Sequence, residues 1–239
     1  MITVSIISHG QLAIAKDLIK EIINDNRCKL ILTLNIPEDE KFLDDIKNNN
    51  LQIIRNSNIL GFSKNHNNAF KYCETDFFLV LNPDVILESK VIFSIYDFMK
   101  SNNITIAAPI SLSKENNIIN NARSFPHLLT PFLRLFFNNF EINNLYYKEN
   151  TINQVDWISG MFMLIQSNLY KTLNGFDERF FLYYEDVDFC KRANKIGEKV
   201  YINSKYSVNH EGNRQSRKFL KFLLYHISSF IKYHWKHGI

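Results

Sequence analysis

Residues 2–34, ITVSIISHGQLAIAKDLIKEIINDNRCKLILTL, decide the fold. The first seven are β-branched and almost continuously apolar, which suits a strand covered on both faces of a parallel sheet. In QLAIAKDLIKEIIND (11–25) the period changes. Leu12, Ala15, Leu18, Ile19, Ile22 and Ile23 fall on one face of a helix. KLILTL (29–34) returns to a buried strand. Strand, helix and strand in about 30 residues make a βαβ unit, which implies a parallel sheet with helical crossovers.

The alternation continues outward from this unit. The acidic stretch from Glu38 to about Lys47 predicts a second helix, LQIIR (51–55) a third strand, and the segment from near Ser63 to Cys73 a third helix. FFLVL (77–81) is a fourth strand, followed by a helix from about Glu88 to Lys100. From about 111 to 154 the periodicity decays. VDWISGMFMLI (155–165) then predicts a strand, a helix starts near Glu185, and KVYI (199–202) is a short further strand. Ligands in open α/β sheets bind beyond the carboxyl ends of the strands. The loops SHG, NIPED, NSNILGFSKNHN and NPD, which follow the first four strands, are therefore the place to look.

The 239 residues can bury a full core. Asparagine runs such as Asn48-Asn49-Asn50 are taken as filling surface loops. Three cysteines, Cys28, Cys73 and Cys190, fit no metal spacing or disulfide framework, and a reducing, cytoplasmic setting is expected. No window approaches the roughly 20 apolar residues that cross a bilayer, and the first residues lack the features of a signal peptide. Residues 214–239 carry six of the 28 basic residues and no acid, leaving 22 basic against 24 acidic elsewhere, net −2. The basic character belongs to the tail, which argues against nucleic-acid binding by the whole protein.

Three places carry candidate chemistry. In GFDERFFLYYEDVDFCKR (175–192), an aromatic run precedes Glu185, Asp186 and Asp188. Asp188 suits an i,i+4 ion pair with Arg192. Apolar neighbours would exclude water from Glu185 and Asp186 and raise their pKa, as a general base requires. In GFSKNHNNAF (61–70), Gly61 permits close approach of a ligand, the following helix N-terminus offers N–H groups to a phosphate, and Asn65, Asn67 and Asn68 offer amides. A structural turn is the alternative. Asp84 ends an apolar strand; joined by His210 it would suit Mg²⁺ or Mn²⁺ on a diphosphate, and otherwise the motif is a turn.

In this order, VSIISHG, GFSKNHNNAF, LNPDV, DWISGMFMLI, GFDERFFLYYEDVDFCKR and NHEG resemble glycosyltransferase family 2, inverting enzymes of the GT-A fold, and more narrowly its rhamnosyltransferase-like branch in O-antigen and capsule synthesis. The resemblance implies an α/β GT-A domain over 1–210, with a nucleotide-sugar half at 1–110 and an acceptor and catalytic half at 111–210. It implies Asp186, with Glu185, as general base, and Asp84 with His210 as ligands of a divalent metal. Ser8, His9, Asn35, Gly61, Phe62, Asn65, Asn82 and Asp84 would line the donor, and Trp157, Ser159 and Gly160 the acceptor. A dTDP- or UDP-linked sugar and a glycan or lipid-linked acceptor are the expected partners. The chain departs from the family in two places: Leu34-Asn35 replaces an Asp-Asn pair that holds the nucleoside, and Asn82 replaces the first acid of the metal motif. The second departure leans toward the rhamnosyltransferase branch. A UDP-hexose enzyme and a non-catalytic sugar-nucleotide-binding subunit are the alternatives.

Residues 211–239 predict a basic amphipathic helix in which Leu220, Leu223, Leu224, Ile227, Ile231 and Trp235 form one stripe. Two outcomes are expected of that stripe. It packs on the core or a dimer partner, or it meets the inner face of the cytoplasmic membrane.

Overall fold

The structure, a computed structural model, describes residues 1–44, 46, 49–119, 121–128, 151–210 and 220–238. The first half runs β1 (Ile2–Ser8), α1 (Leu12–Ile23), β2 (Cys28–Leu34), α2 (Lys41–Asp44), β3 (Leu51–Arg55), α3 (Phe62–Phe70), β4 (Phe77–Leu81), β5 (Val85–Ile86), α4 (Ser89–Asn102) and β6 (Ile106–Leu112). It continues with the short strands β7 (Ile118–Ile119), β8 (Ala122–Arg123), β9 (Ile152–Val155) and β10 (Trp157–Ile158), then β11 (Phe162–Gln166) and α5 (Ser167–Thr172). Helix α6 (Glu185–Lys195), the long strand β12 (Val200–His210) and α7 (Leu220–His237) complete it.

One mixed sheet has the order β3-β2-β1-β4-β11-β6-β12-β5, with β7 on β6 and β9 on β12. Its β3-β2-β1-β4 portion is parallel throughout. Strand β11 lies antiparallel between β4 and β6, and β12 runs parallel to β6. The apolar strands of the sequence form its centre, where every residue of β4 is buried. All six apolar positions predicted on one face of α1 are buried. Register aligns one edge of the sheet: Ser8 sits beside Leu34, Leu34 beside Arg55, and Phe162 beside Leu81. The loops after β1, β2, β3 and β4 therefore emerge together, alongside the turn that enters β11.

Several elements differ from expectation. Among the described residues the second helix covers Lys41–Asp44, with 38–40 non-helical. The chain before it is held by other bonds: Glu38 accepts the Leu12 N–H at 2.8 Å, and Glu40 pairs with Arg55. Helix α3 stops at Phe70, and Tyr72 and Cys73 make tighter i→i+3 bonds to Ala69 and Phe70. The expected strand 155–165 is divided among β9, β10 and β11, because Asp156 turns away to accept the Phe125 N–H and Gly160 turns toward Asp186. Strand β6 went unforeseen. Its Pro109 has no N–H for a ladder, and it pairs with Asn203 where β12 bulges. Beyond that bulge β12 continues to His210, well past the expected 202.

Candidate active site

Strand pairing brings Asp84 and His210 together. The last two residues of β12 pair antiparallel with β5, placing His210 opposite Val85, the residue after Asp84. His210 Nε2 and Asp84 Oδ1 lie 3.2 Å apart although 126 positions separate them in sequence. Asn82 is held at the same edge by its N–H, which donates to the Met161 carbonyl at 2.9 Å.

That bond ties the NPD turn to the next one, Ser159-Gly160-Met161. The Gly160 N–H donates to Asp186 Oδ2 at 3.0 Å, and the Val187 N–H to Asp186 Oδ1 at 2.8 Å. Gly160 packs closely here, since a Cβ would stand 3.1 Å from the Phe62 ring, which would have to shift by a few tenths of an ångström. Asp186 is half-buried, whereas Glu185 is buried with its Oε2 lacking a hydrogen-bond partner. Burial, reinforced by the charge of Asp186, pushes the Glu185 carboxyl well above the ordinary carboxylate range. Burial also raises Asp186, against the backbone N–H bonds and the positive charge of Arg123 that favour its anion. Arg123 lies on β8, paired with Trp157 of β10. It sits in the stretch whose periodicity is lost, so no sequence signal marked it.

The loop after β3 is built differently from the sequence expectation. Asn35 is buried, and its amide is saturated: it donates to the Leu60 carbonyl and contacts His9 Nδ1, while its oxygen accepts from Leu60 N–H and Asn56. Asn65 is equally buried, between Asn56 and the Leu60 carbonyl. These amides hold the loop and leave no free group on Asn35 for a nucleoside. Asn67 accepts from Tyr170 and the Phe176 N–H and donates to the Phe176 carbonyl, pinning the turn at Gly175. The asparagines are thus partly architectural. Ser8 is buried and accepts the Gln11 N–H, whereas His9 is exposed at the edge.

The start of α3 also has a different partner. The Phe62 N–H donates to the Phe181 carbonyl at 2.8 Å, and Ser63 Oγ donates to the Phe180 carbonyl. A Cβ on Gly61 would lie 2.6 Å from the Phe181 oxygen. The close approach that Gly61 permits is made by the chain's own 180–181 segment, and at least one of the N–H groups expected to meet a phosphate is already taken. The Phe62 ring packs edge-on against buried His66, whose imidazole burial depresses to a pKa of about 3. Among the acceptor candidates, the Trp157 indole N–H is spent on the Ser124 carbonyl, and Ser159 Oγ accepts the Met161 N–H at 3.4 Å.

The segment leading to the carboxylates is clamped by α7. Tyr183 and Tyr184 both adopt φ of 68°, an uncommon conformation for bulky residues, immediately before Glu185. Tyr184 packs against His226, Phe230 and Tyr233, and Phe181 stacks on Tyr225. Ser229 Oγ donates to the Leu182 carbonyl, and Lys232 to that of Arg179. Asp188 makes the expected pair with Arg192 at 2.8 Å, and it also receives Lys236 at 2.6 Å and His237 at 2.9 Å. The predicted stripe of α7 does not pack on the core: Leu220, Leu223, Leu224, Ile227, Ile231 and Trp235 are all exposed, while Ser229, Tyr233 and His234 are buried. Arg214, Arg217, Lys218 and the rest of 211–219 lie outside the described residues, as does 129–150.

Among the described residues no cluster of three or more His, Cys, Asp or Glu side chains is able to hold a metal. Asp84 and His210 supply two adjacent donors, one oxygen and one imidazole nitrogen. That set fits an Mg²⁺ or Mn²⁺ ion completing its shell with diphosphate oxygens and water, and does not amount to an all-protein cage.

Known glycosyltransferases resemble this chain over most of its length. The chain is 26% identical to rhamnosyltransferase WbbL of Escherichia coli (strain K12), over 98% of this chain and 92% of that protein. It is 26% identical to the N-acetylglucosaminyl-diphospho-decaprenol L-rhamnosyltransferase of Mycobacterium tuberculosis, covering 64% of this chain and 53% of the relative. The mannosyltransferase PcManGT of Pyrobaculum calidifontis, solved in complex with GDP-Man and Mn²⁺, superposes with a TM-score of 0.67 at 10% identity, over 97% of this chain and 63% of that one. At that identity the likeness shows a shared GT-A fold. Residues 2–224 match the glycosyltransferase-like family 2 pattern, and the chain, a glycosyltransferase, belongs to that family.

Proposed function

We propose that this protein is an inverting transferase that moves a sugar from a nucleoside diphosphate, with dTDP-L-rhamnose the best fit, to a lipid-linked or polysaccharide acceptor in cell-surface glycan synthesis at the cytoplasmic face of the membrane. One observation carries the chemistry: an adjacent carboxylate pair, buried Glu185 and half-buried Asp186, lies at the same sheet edge as the Asp84–His210 pair. The choice of sugar and acceptor is supported by the two rhamnosyltransferase relatives, one of them named for a diphospho-decaprenol substrate.

In this reading Asp186, the more accessible of the pair, accepts the proton of the acceptor hydroxyl. That oxygen attacks the anomeric carbon from the face opposite the diphosphate, the bond to the diphosphate oxygen breaks, and the configuration inverts. The Gly160 and Val187 N–H groups fix the orientation of the Asp186 carboxylate. Asp84 and His210 would hold a divalent ion, which when bound supplies positive charge to the departing diphosphate. His9, exposed at the edge and in contact with Asn35, would meet the nucleotide.

The test is a donor screen of the full chain with Mg²⁺ or Mn²⁺, reading release of nucleoside diphosphate. Turnover of dTDP-L-rhamnose above UDP-hexoses supports the assignment. Preference for a UDP-hexose shifts the donor class, and no turnover with any donor, in the presence of a diphospho-polyprenyl glycan acceptor, overturns the catalytic reading.

A further inference from the structure

Helix α7 has a face that no described part of the chain covers. Of the sixteen large apolar side chains exposed among the described residues, six are Leu220, Leu223, Leu224, Ile227, Ile231 and Trp235, and Trp235 is 79% exposed. They follow i, i+3, i+4 spacing, so they form one strip about 22 Å long at 1.5 Å per residue. An ordinary surface helix turns its apolar stripe to the core. Here Ser229, Tyr233 and His234 are buried instead, and the helix is anchored through Ser229, Lys232, Lys236 and His237. The orientation therefore has its own polar and aromatic bonds, and the stripe is left over for a partner outside the described residues.

Charge identifies that partner. Lys221 is exposed beside the stripe, Lys232 keeps an exposed charge there while it donates to the Arg179 carbonyl, and residues 212–239 contain no acid. A second copy docking stripe to stripe would bring two basic helices together without a compensating carboxylate on either. An anionic lipid surface supplies both the negative charge and the apolar layer. We propose that α7 is a bilayer-docking helix, with the six-residue stripe seated at the acyl boundary of an anionic membrane and the flanking lysines among the headgroups. The clamp on residues 179–184 then attaches the carboxylate-bearing segment directly to the docked helix. This deepens the reading of a membrane-borne acceptor, but vesicle binding is measured without donor or acceptor and is judged separately from turnover.

The experiment is co-sedimentation of the full chain with vesicles of mixed phosphatidylglycerol and phosphatidylcholine, compared with pure phosphatidylcholine. Wild type is expected to bind the anionic vesicles, to release as salt rises, and to shift its tryptophan emission to the blue as Trp235 enters the interface. The double variant Leu224→Glu with Ile231→Glu changes two exposed positions. It should lose binding about tenfold or more with unchanged circular dichroism and unchanged nucleoside-diphosphate release in the absence of vesicles. Failure of wild type to bind, or equal binding by the variant, overturns the proposal. A wild-type dimer that the variant splits into monomers, read by light scattering, assigns the stripe to a second copy and also overturns it.

Discussion

Asp186 and Glu185 are adjacent in sequence but unequal in surroundings. Asp186 is half-buried and receives two backbone N–H groups, whereas Glu185 is sealed with one oxygen unpartnered. Asp186→Asn keeps the shape and removes the base, so kcat should fall by about 10²–10⁴ while the melting temperature holds or rises. Because burial raises the pair, the acid limb of the wild-type kcat/KM profile should lie above the ordinary carboxylate value of about 4; a limb at that value would refute the role. Glu185 makes a separate prediction about stability. As pH rises past the ordinary range, the unfolded chain releases the Glu185 proton while the fold still retains it, so stability is lost over that window. Glu185→Gln should therefore melt higher than wild type near pH 7, by about 2–4 °C for each kcal/mol relieved, and converge with it below about pH 4. A constant difference across pH would count against the account.

At the scale of elements, α3, α6 and α7 converge on the aromatic segment before the carboxylates. Gly175, at φ +67° and packed against Asn67 and Tyr170, sets the turn at one end. The two left-handed tyrosines set the other, held by rings from α7. Asp188 is the common anchor, fully buried beneath Arg192, Lys236 and His237. Asp188→Ala leaves the two cations Arg192 and Lys236, and the His237 imidazole, without their carboxylate and should destabilise the fold by about 3 kcal/mol, seen as a lower denaturation midpoint; a loss under about 1 kcal/mol would show that α7 is held by its rings alone. The sequence disclosed the i,i+4 pair of Asp188 with Arg192, because that geometry is local to one helix. The contributions of Lys236 and His237 were not legible, since nothing in the spacing of 188 and 237 says that the two helices touch.

Across the whole molecule, the β12–β5 pairing brings together Asp84 and His210, 126 positions apart in the chain. With a divalent ion shared by Asp84, His210 and the nucleotide, UDP or dTDP should raise the melting temperature further when Mn²⁺ is present. Asp84→Ala should abolish that metal-dependent increment and leave the metal-free melting temperature within about 2 °C. An undiminished increment would remove Asp84 from the metal's shell.

Local periodicity determined much of this protein in advance. Hydrophobic runs of the right length become strands and helices wherever they sit, so β1 to β4, α1 and α4 could be located, and with them the sheet edge at which the candidate residues gather. The Glu185-Asp186 pair was legible because its aromatic leader is contiguous with it. Only tertiary structure decided the rest. Asp84 meets His210 through a strand that continues past a bulge at Pro109, and amide side chains that look free in the sequence are consumed by loops packing on one another. Helix α7 shows the reason most plainly. Amphipathic spacing identifies the two faces of a helix, but which face is buried depends on the surface it meets. Here the carbonyls and rings of residues 179–184 and the carboxylate of Asp188 claimed the tyrosine and histidine face, leaving the leucines outside.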